Sequence, residues 1–236
     1  MPIVYFKTKT LNNYQFPDGS SDRYYVELLL DEITSCLNAN AIRYEILSSD
    51  KNMTLSNRNE EYIVINFEML NDDSNNLEKN KGIKIIFTEG NPMSKRMSDI
   101  LLNNIKRISN ENLNLEILSE ATNNELQNIN QITVVFENLL NSNTIEWLRQ
   151  NIDEIANQFI MSLTEYFGLP FVPCSDVNIG VVKKDESLRL RPNLNSEIVG
   201  NVNGNTKIDV LGQWEDWYVV EQNNNLGYIQ TKFIEV

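Results

Sequence analysis

The chain reads as an α/β protein: a three-layer domain with a mostly parallel central sheet over residues 1–168, then a small all-β barrel over 178–236. Three observations predict this. Through residue 168, short β-rich runs alternate with helical apolar stripes, the pattern of strands joined by crossover helices. From Asn178 onward the helical period disappears, and short strands are separated by Asn- and Gly-bearing turns. Between the two lies Leu169-Pro170-Phe171-Val172-Pro173-Cys174-Ser175-Asp176-Val177, a proline-bearing linker that marks the boundary.

The elements follow in order. Ile3–Phe6 is a first strand. Val26, Leu29, Leu30, Ile33 and Leu37 then form one apolar stripe at helical spacing. Arg43–Leu47 and Tyr62–Phe67 are the next strands, and Gly82–Phe87 another. This last run leads into Asn91-Pro92, an N-cap followed by proline at the first helical position. The helix after it turns Met97, Ile100, Leu101, Ile105 and Ile108 inward. Leu113–Leu118 and Ile132–Phe136 complete the strands. In the last helix, capped at Asn143, the residues Ile145, Leu148, Ile152, Ile155, Phe159, Leu163 and Phe167 share one face, and Gly168 ends it. In the barrel, Val199–Val202, Lys207–Leu211, Trp217–Val220 and Gly227–Ile229 are strands.

Of the 236 residues, 41% are hydrophobic, as expected for a globular chain, and the formal net charge is -13. Residues 1–177 carry 14 Lys and Arg against 25 Asp and Glu, whereas 178–236 carry 6 against 8. Such a surface repels phosphate backbones and anionic headgroups, which argues against nucleic acid and membrane surfaces as partners. It also repels anionic wall polymers, so wall binding would depend on local shape and hydrogen bonding. No apolar run approaches the ~20 residues needed to span a bilayer. Met1-Pro2-Ile3-Val4-Tyr5-Phe6 is no secretory signal, so the expectation is cytoplasmic synthesis, with action at the wall or spore envelope after release. Two cysteines are too few for a disulfide framework; Cys36 falls on an apolar helical face and Cys174 in the linker. There is no histidine. Hence no Ser/His/Asp or Cys/His arrangement can form, and Gly90-Asn91-Pro92 is a turn and cap with no phosphate cradle.

The residues Ile132–Trp147 read as a strand, a glutamate, a short loop ending in Ser-Asn and a capped helix. With Gly82–Met97, a strand closing on an aromatic and leading to a Ser-Lys-Arg helix start, they make residues 1–168 resemble the zinc-dependent N-acetylmuramoyl-L-alanine amidases. Those enzymes cut the bond between muramic acid and the stem peptide. The resemblance places Glu137 on the family's catalytic glutamate. It also implies a first zinc histidine in a Gly-His-Gly-Gly turn after the first strand, where this chain has Lys7-Thr8-Lys9-Thr10-Leu11-Asn12-Asn13. The second ligand, a glutamate before the first helix, aligns with Asp22, and the third, a histidine at a strand end, aligns with Phe67. Zinc needs about four N, S or carboxylate ligands, three of them usually from protein in a catalytic site. The family's zinc is therefore expected but its ligands are missing, and the expected cofactor set is none. Without a metal nothing lowers the pKa of the attacking water or polarises the amide, and Glu137 alone could serve only as a general base. A carboxylate set of Asp22, Glu68 and Glu137 holding a hard cation is the competing arrangement. Against it, Glu68 follows Phe67 along an extended strand and points the other way.

Ser187-Leu188-Arg189-Leu190-Arg191-Pro192, Glu197-Ile198-Val199-Gly200, Gly204-Asn205-Thr206-Lys207-Ile208, Trp214, Trp217-Tyr218-Val219-Val220 and Gly227-Tyr228-Ile229 make residues 178–236 resemble the bacterial SH3 domains of wall hydrolases and spore proteins. Here Arg191 meets Pro192 directly, which shortens the loop. The resemblance implies a groove for peptide cross-bridges or an extended partner segment, lined by Arg191, Trp214, Trp217 and Tyr228. A small barrel also needs a core, and Trp217 and Tyr228 suit it. Trp214, in a polar turn, is the better exposed contact, and Arg191 serves equally as a solvated cation. The expected protein is an inactive amidase homologue binding peptidoglycan, its stem peptide or cross-bridge, or a protein partner, with a regulatory or targeting role. An active amidase with a non-standard metal site and a purely structural protein scaffold are the alternatives.

Overall fold

The computed structural model describes residues 1–10, 19, 21–47, 61–70, 82–108, 113–121, 128–137 and 142–236. The first part is a mixed α/β domain. Strands β1 (Ile3–Thr10), β2 (Arg43–Leu47), β3 (Tyr62–Leu70), β4 (Gly82–Thr88), β5 (Asn114–Glu120) and β6 (Gln131–Glu137) form one sheet in the order β2-β1-β3-β6-β4-β5. Every neighbouring pair is parallel except β4 and β6, which run antiparallel.

Three helices cover one face. Helix α1 (Asp22–Leu37) starts at Ser21, whose hydroxyl accepts from the Tyr24 amide. Helix α2 (Pro92–Ile105) starts as its sequence predicts: Asn91 caps the Met93 and Ser94 amides, and Pro92 sits at N1, where no amide proton is needed. Helix α3 (Ser142–Phe167) ends at Gly168, whose φ of 66° is the left-handed turn glycine adopts without strain. The α2–α3 contact is pinned by Asn104 Nδ2 donating to Ser162 Oγ at 2.9 Å. Side chains from all three helices join Val4, Phe6, Ile63, Ile65, Phe67, Met69, Ile83, Ile85, Val134 and Phe136 in one core. The alternate strand residues Ile3, Tyr5 and Val64 belong to a separate cluster on the other face. Among the described residues the domain thus has two layers, sheet and helices; the third layer that the sequence predicts falls outside them.

The second part is antiparallel throughout, in the order β13-β7-β10-β11-β12-β8-β9. Its strands are β7 (Asn178–Val182), β8 (Glu186–Arg189), β9 (Ile198–Val202), β10 (Lys207–Trp214), β11 (Trp217–Gln222), β12 (Asn225–Gln230) and β13 (Ile234–Glu235). Asn223 and Asn224, with φ of 51° and 64°, make the two-residue turn between β11 and β12. The barrel has its own core of Val182, Leu188, Val202, Ile208, Val210, Val220, Ile229 and Ile234.

The opposite side chains of the same strands do not reach solvent. Leu211, Trp217, Val219, Leu226 and Tyr228 are buried in the core shared with the first domain. A bulge in β10 brings Gly212 against Val172 and the Ala39 carbonyl, so close that an added Cβ would lie 2.7 Å from Val172 Cγ1. Asn40, fully buried, holds the linker by accepting from the Val172 amide at 2.7 Å and donating to the Val172 carbonyl at 3.0 Å. The two cysteines, expected to be a core residue and an unremarkable linker residue, form a disulfide across a separation of 138 residues. This staple joins the end of α1 to the linker beside the Asn40 clamp. Cys174→Ser is expected to cost ~2–4 kcal/mol; denaturant melts of oxidised wild type and variant check it.

Candidate functional site

Glu137 is the last residue of β6. Register sets it beside Leu70 of β3 and Gly82 of β4. Lys84, two residues along β4 on the same face, reaches back to Glu137 Oε2 at 2.6 Å. The pair is largely shielded, with side chains 25% and 17% exposed. A neutralised, hydrogen-bonded carboxylate is a poor proton acceptor, since its lone pairs already meet an ammonium. Sequence reading missed Lys84, because only strand register reveals the pairing.

Phe67 lies elsewhere. It was expected at the end of its strand, but β3 continues to Leu70, leaving Phe67 three residues short of that end. Strand alternation turns it to the helix face, whereas Glu137 and Glu68 share the opposite face through the Glu68↔Val135 register. Fully buried, Phe67 packs against Phe6, Phe136 and Phe159 with ring centroids at 6.0, 6.4 and 5.3 Å. Phe67 and Glu137 therefore do not face one site, and the residue beside Glu137 on β3 is the apolar Leu70. Asp22 is the first residue of α1; its side chain and residues 11–18 lie outside the described residues. Among the described residues, no three His, Cys, Asp or Glu side chains come together as a metal site.

The four residues expected to line a groove in the barrel lie instead at its junction with the first domain. Arg191 Nη1 donates to the carbonyls of Phe167 and Gly168, both at 2.7 Å, and Nη2 to Glu61 Oε2 at 3.2 Å. A guanidinium here satisfies the orphan carbonyls at the negative end of α3, so Arg191 is neither a free ligand contact nor a solvated cation. Trp217 and Tyr228 are buried at this junction, and Trp214 is half-buried against the same core. The signal was present in the sequence: Trp217-Tyr218-Val219-Val220 does not alternate, as expected for a strand buried on both faces.

Burial raises the pKa of the Tyr228 phenol, with Arg191 partly offsetting, and pushes that of Tyr166 up to about 12, with Arg96 partly offsetting. Neither hydroxyl has a hydrogen-bond partner among the described residues. The folded state keeps these protons while the unfolded chain releases them near the ordinary value of 10.0. Stability is therefore full below about pH 10 and falls as pH rises toward about 12. Tyr228→Phe is expected to preserve or raise stability at pH 8 and to soften the alkaline loss, as read from urea midpoints across that range.

Comparison with known proteins agrees with this architecture. The bacterial SH3 domain family model matches residues 186–235. The remainder has the fold of N-acetylmuramoyl-L-alanine amidases. The CwlD amidase of Clostridioides difficile, solved in complex with the GerS lipoprotein, superposes with a TM-score of 0.54 at 11% identity, covering 70% of this chain and 98% of that one. Ami1 of Mycobacterium smegmatis gives 0.52 at 9% identity, with coverages of 70% and 97%. The catalytic domain of CwlV from Bacillus (Paenibacillus) polymyxa var. colistinus gives 0.51 at 11% identity, with coverages of 72% and 100%. No curated protein matches the chain in sequence.

The residues present do not fit the zinc of the amidase family. No imidazole exists in the chain, Leu70 and Lys84 occupy the space around Glu137, and the position aligned with a ligand is core.

Proposed function

We propose that the chain is a non-hydrolysing relative of the cell-wall amidases that binds peptidoglycan or a protein partner in wall remodelling, spore assembly or lysis. The observation that carries this reading is the Lys84–Glu137 ion pair in a chain without histidine. The carboxylate expected to act as base is held by an ammonium, and no ligand set stands beside it to activate water. The amidase fold and the bacterial SH3 domain support the link to peptidoglycan. The lipoprotein bound to CwlD supports a protein-binding role for this fold. The disulfide favours action in an oxidising compartment, at the wall or spore envelope.

The domain junction decides how to test this. Cutting the chain in the linker would expose Trp217, Leu226 and Tyr228, so the intact protein is the proper reagent. Full-length protein is expected to co-sediment with purified peptidoglycan sacculi and to be displaced by soluble muropeptides. Failure to pellet overturns wall binding and leaves a protein partner as the sole ligand.

A further inference from the structure

The strand β2 is an edge of the first sheet, paired on one side only. The Arg43 amide donates to the Pro2 carbonyl, so alternation directs the backbone groups of Arg43, Glu45 and Leu47 toward β1. Those of Tyr44 and Ile46 point the other way, into an open cleft, and their side chains are 40% and 51% exposed. The far wall of the cleft is the β11–β12 hairpin, contributing Glu221, Asn224 and the buried Leu226. The cleft holds about 490 Å³, within the range of roughly 300–1,000 Å³ usual for ligand sites. The other edge strand, β5, faces no such wall among the described residues.

We propose that this cleft is a docking site for an extended segment of a partner polypeptide, added as a strand to the free edge of β2. The Tyr44 and Ile46 backbones supply donors and acceptors spaced for an extended chain. Glu45 and Glu221 line the two walls, so the segment that fits carries Lys or Arg on the side facing the hairpin. Arg43, whose Nη2 lies 3.5 Å from the Asn224 carbonyl, spans one end of the cleft and sets where the segment stops. The site lies away from the Glu137 end of the sheet and does not depend on wall binding; it specifies where and how a protein partner would be read.

The test uses full-length oxidised protein and a displayed library of random linear heptapeptides. Selection is expected to enrich peptides with a basic residue in an alternating pattern. Ile46→Pro removes one outward amide on an edge strand, where proline is tolerated. Its folding is verified by an unchanged melting curve, and Glu221→Gln provides a second variant that leaves the backbone intact. Each is expected to weaken the selected peptides roughly tenfold or more, and methylating alternate peptide amides should abolish binding. Enrichment indifferent to both variants, or no enrichment, overturns the proposal. So does displacement from this cleft by muropeptides alone, which would make it a wall-peptide site; sacculus binding that survives both variants leaves the wall-binding reading intact.

Discussion

Phe67→His, which restores a histidine at the position aligned with a zinc ligand, is expected to lower stability by ~3–5 kcal/mol and to gain no zinc affinity. The cost has two sources. A ring fully buried against Phe6, Phe136 and Phe159 is replaced by a smaller one, leaving a void. The imidazole also brings buried nitrogens into an apolar cluster that offers no partner. Metal cannot recover that loss, because residue 67 faces the helices while Glu137 lies on the opposite face of the sheet. In a protein of this size the change lowers Tm by roughly 10 °C. Thermal melts with and without added zinc check it: a melting point raised by zinc in the variant would show that the site is latent.

The second large effect concerns the junction. Trp217→Ala is expected to cost ~3–5 kcal/mol and to uncouple the two domains. Trp217 is 8% exposed and belongs, with Leu211, Val219, Leu226 and Tyr228, to a core continuous with the first domain. Wild type should therefore unfold in a single calorimetric transition, held together also by the Asn40–Val172 clamp and the Arg191 contacts to the end of α3. Removing the indole should split that transition in two, the barrel melting first on its smaller core of Val182, Leu188, Val202 and their neighbours. A single transition at reduced Tm would show that the polar clamps alone keep the domains coupled.

Local chemistry made much of this fold legible. Asn91-Pro92 announces α2 because a capping side chain and a residue lacking an amide proton suit the first turn. Gly168 ends α3 because its left-handed φ is strained for other residues. The aromatic and glycine signatures of the second domain mark the segment that the bacterial SH3 family model matches, 186–235. Pairing was not legible. The antiparallel step between β4 and β6 brings Lys84 to Glu137, and no spacing within either strand encodes it. The opposite facing of Phe67 and Glu137 depends on how far β3 extends, and three further residues changed the relation between the aligned position and the strand end. The Cys36–Cys174 bond spans 138 residues, beyond the reach of any local pattern. In the barrel, aromatics read as groove residues became junction residues because both faces of β11 and β12 are covered.

The central claim is that the chain binds without cutting. The most direct measurement incubates full-length protein with purified sacculi and zinc, then follows both the pelleted protein and the released stem peptides by mass spectrometry. The account predicts that protein pellets and no peptide with a newly freed amino-terminal alanine appears. Release of such peptides, abolished by Glu137→Gln, would contradict it and identify an amidase working with a metal site unlike that of its relatives.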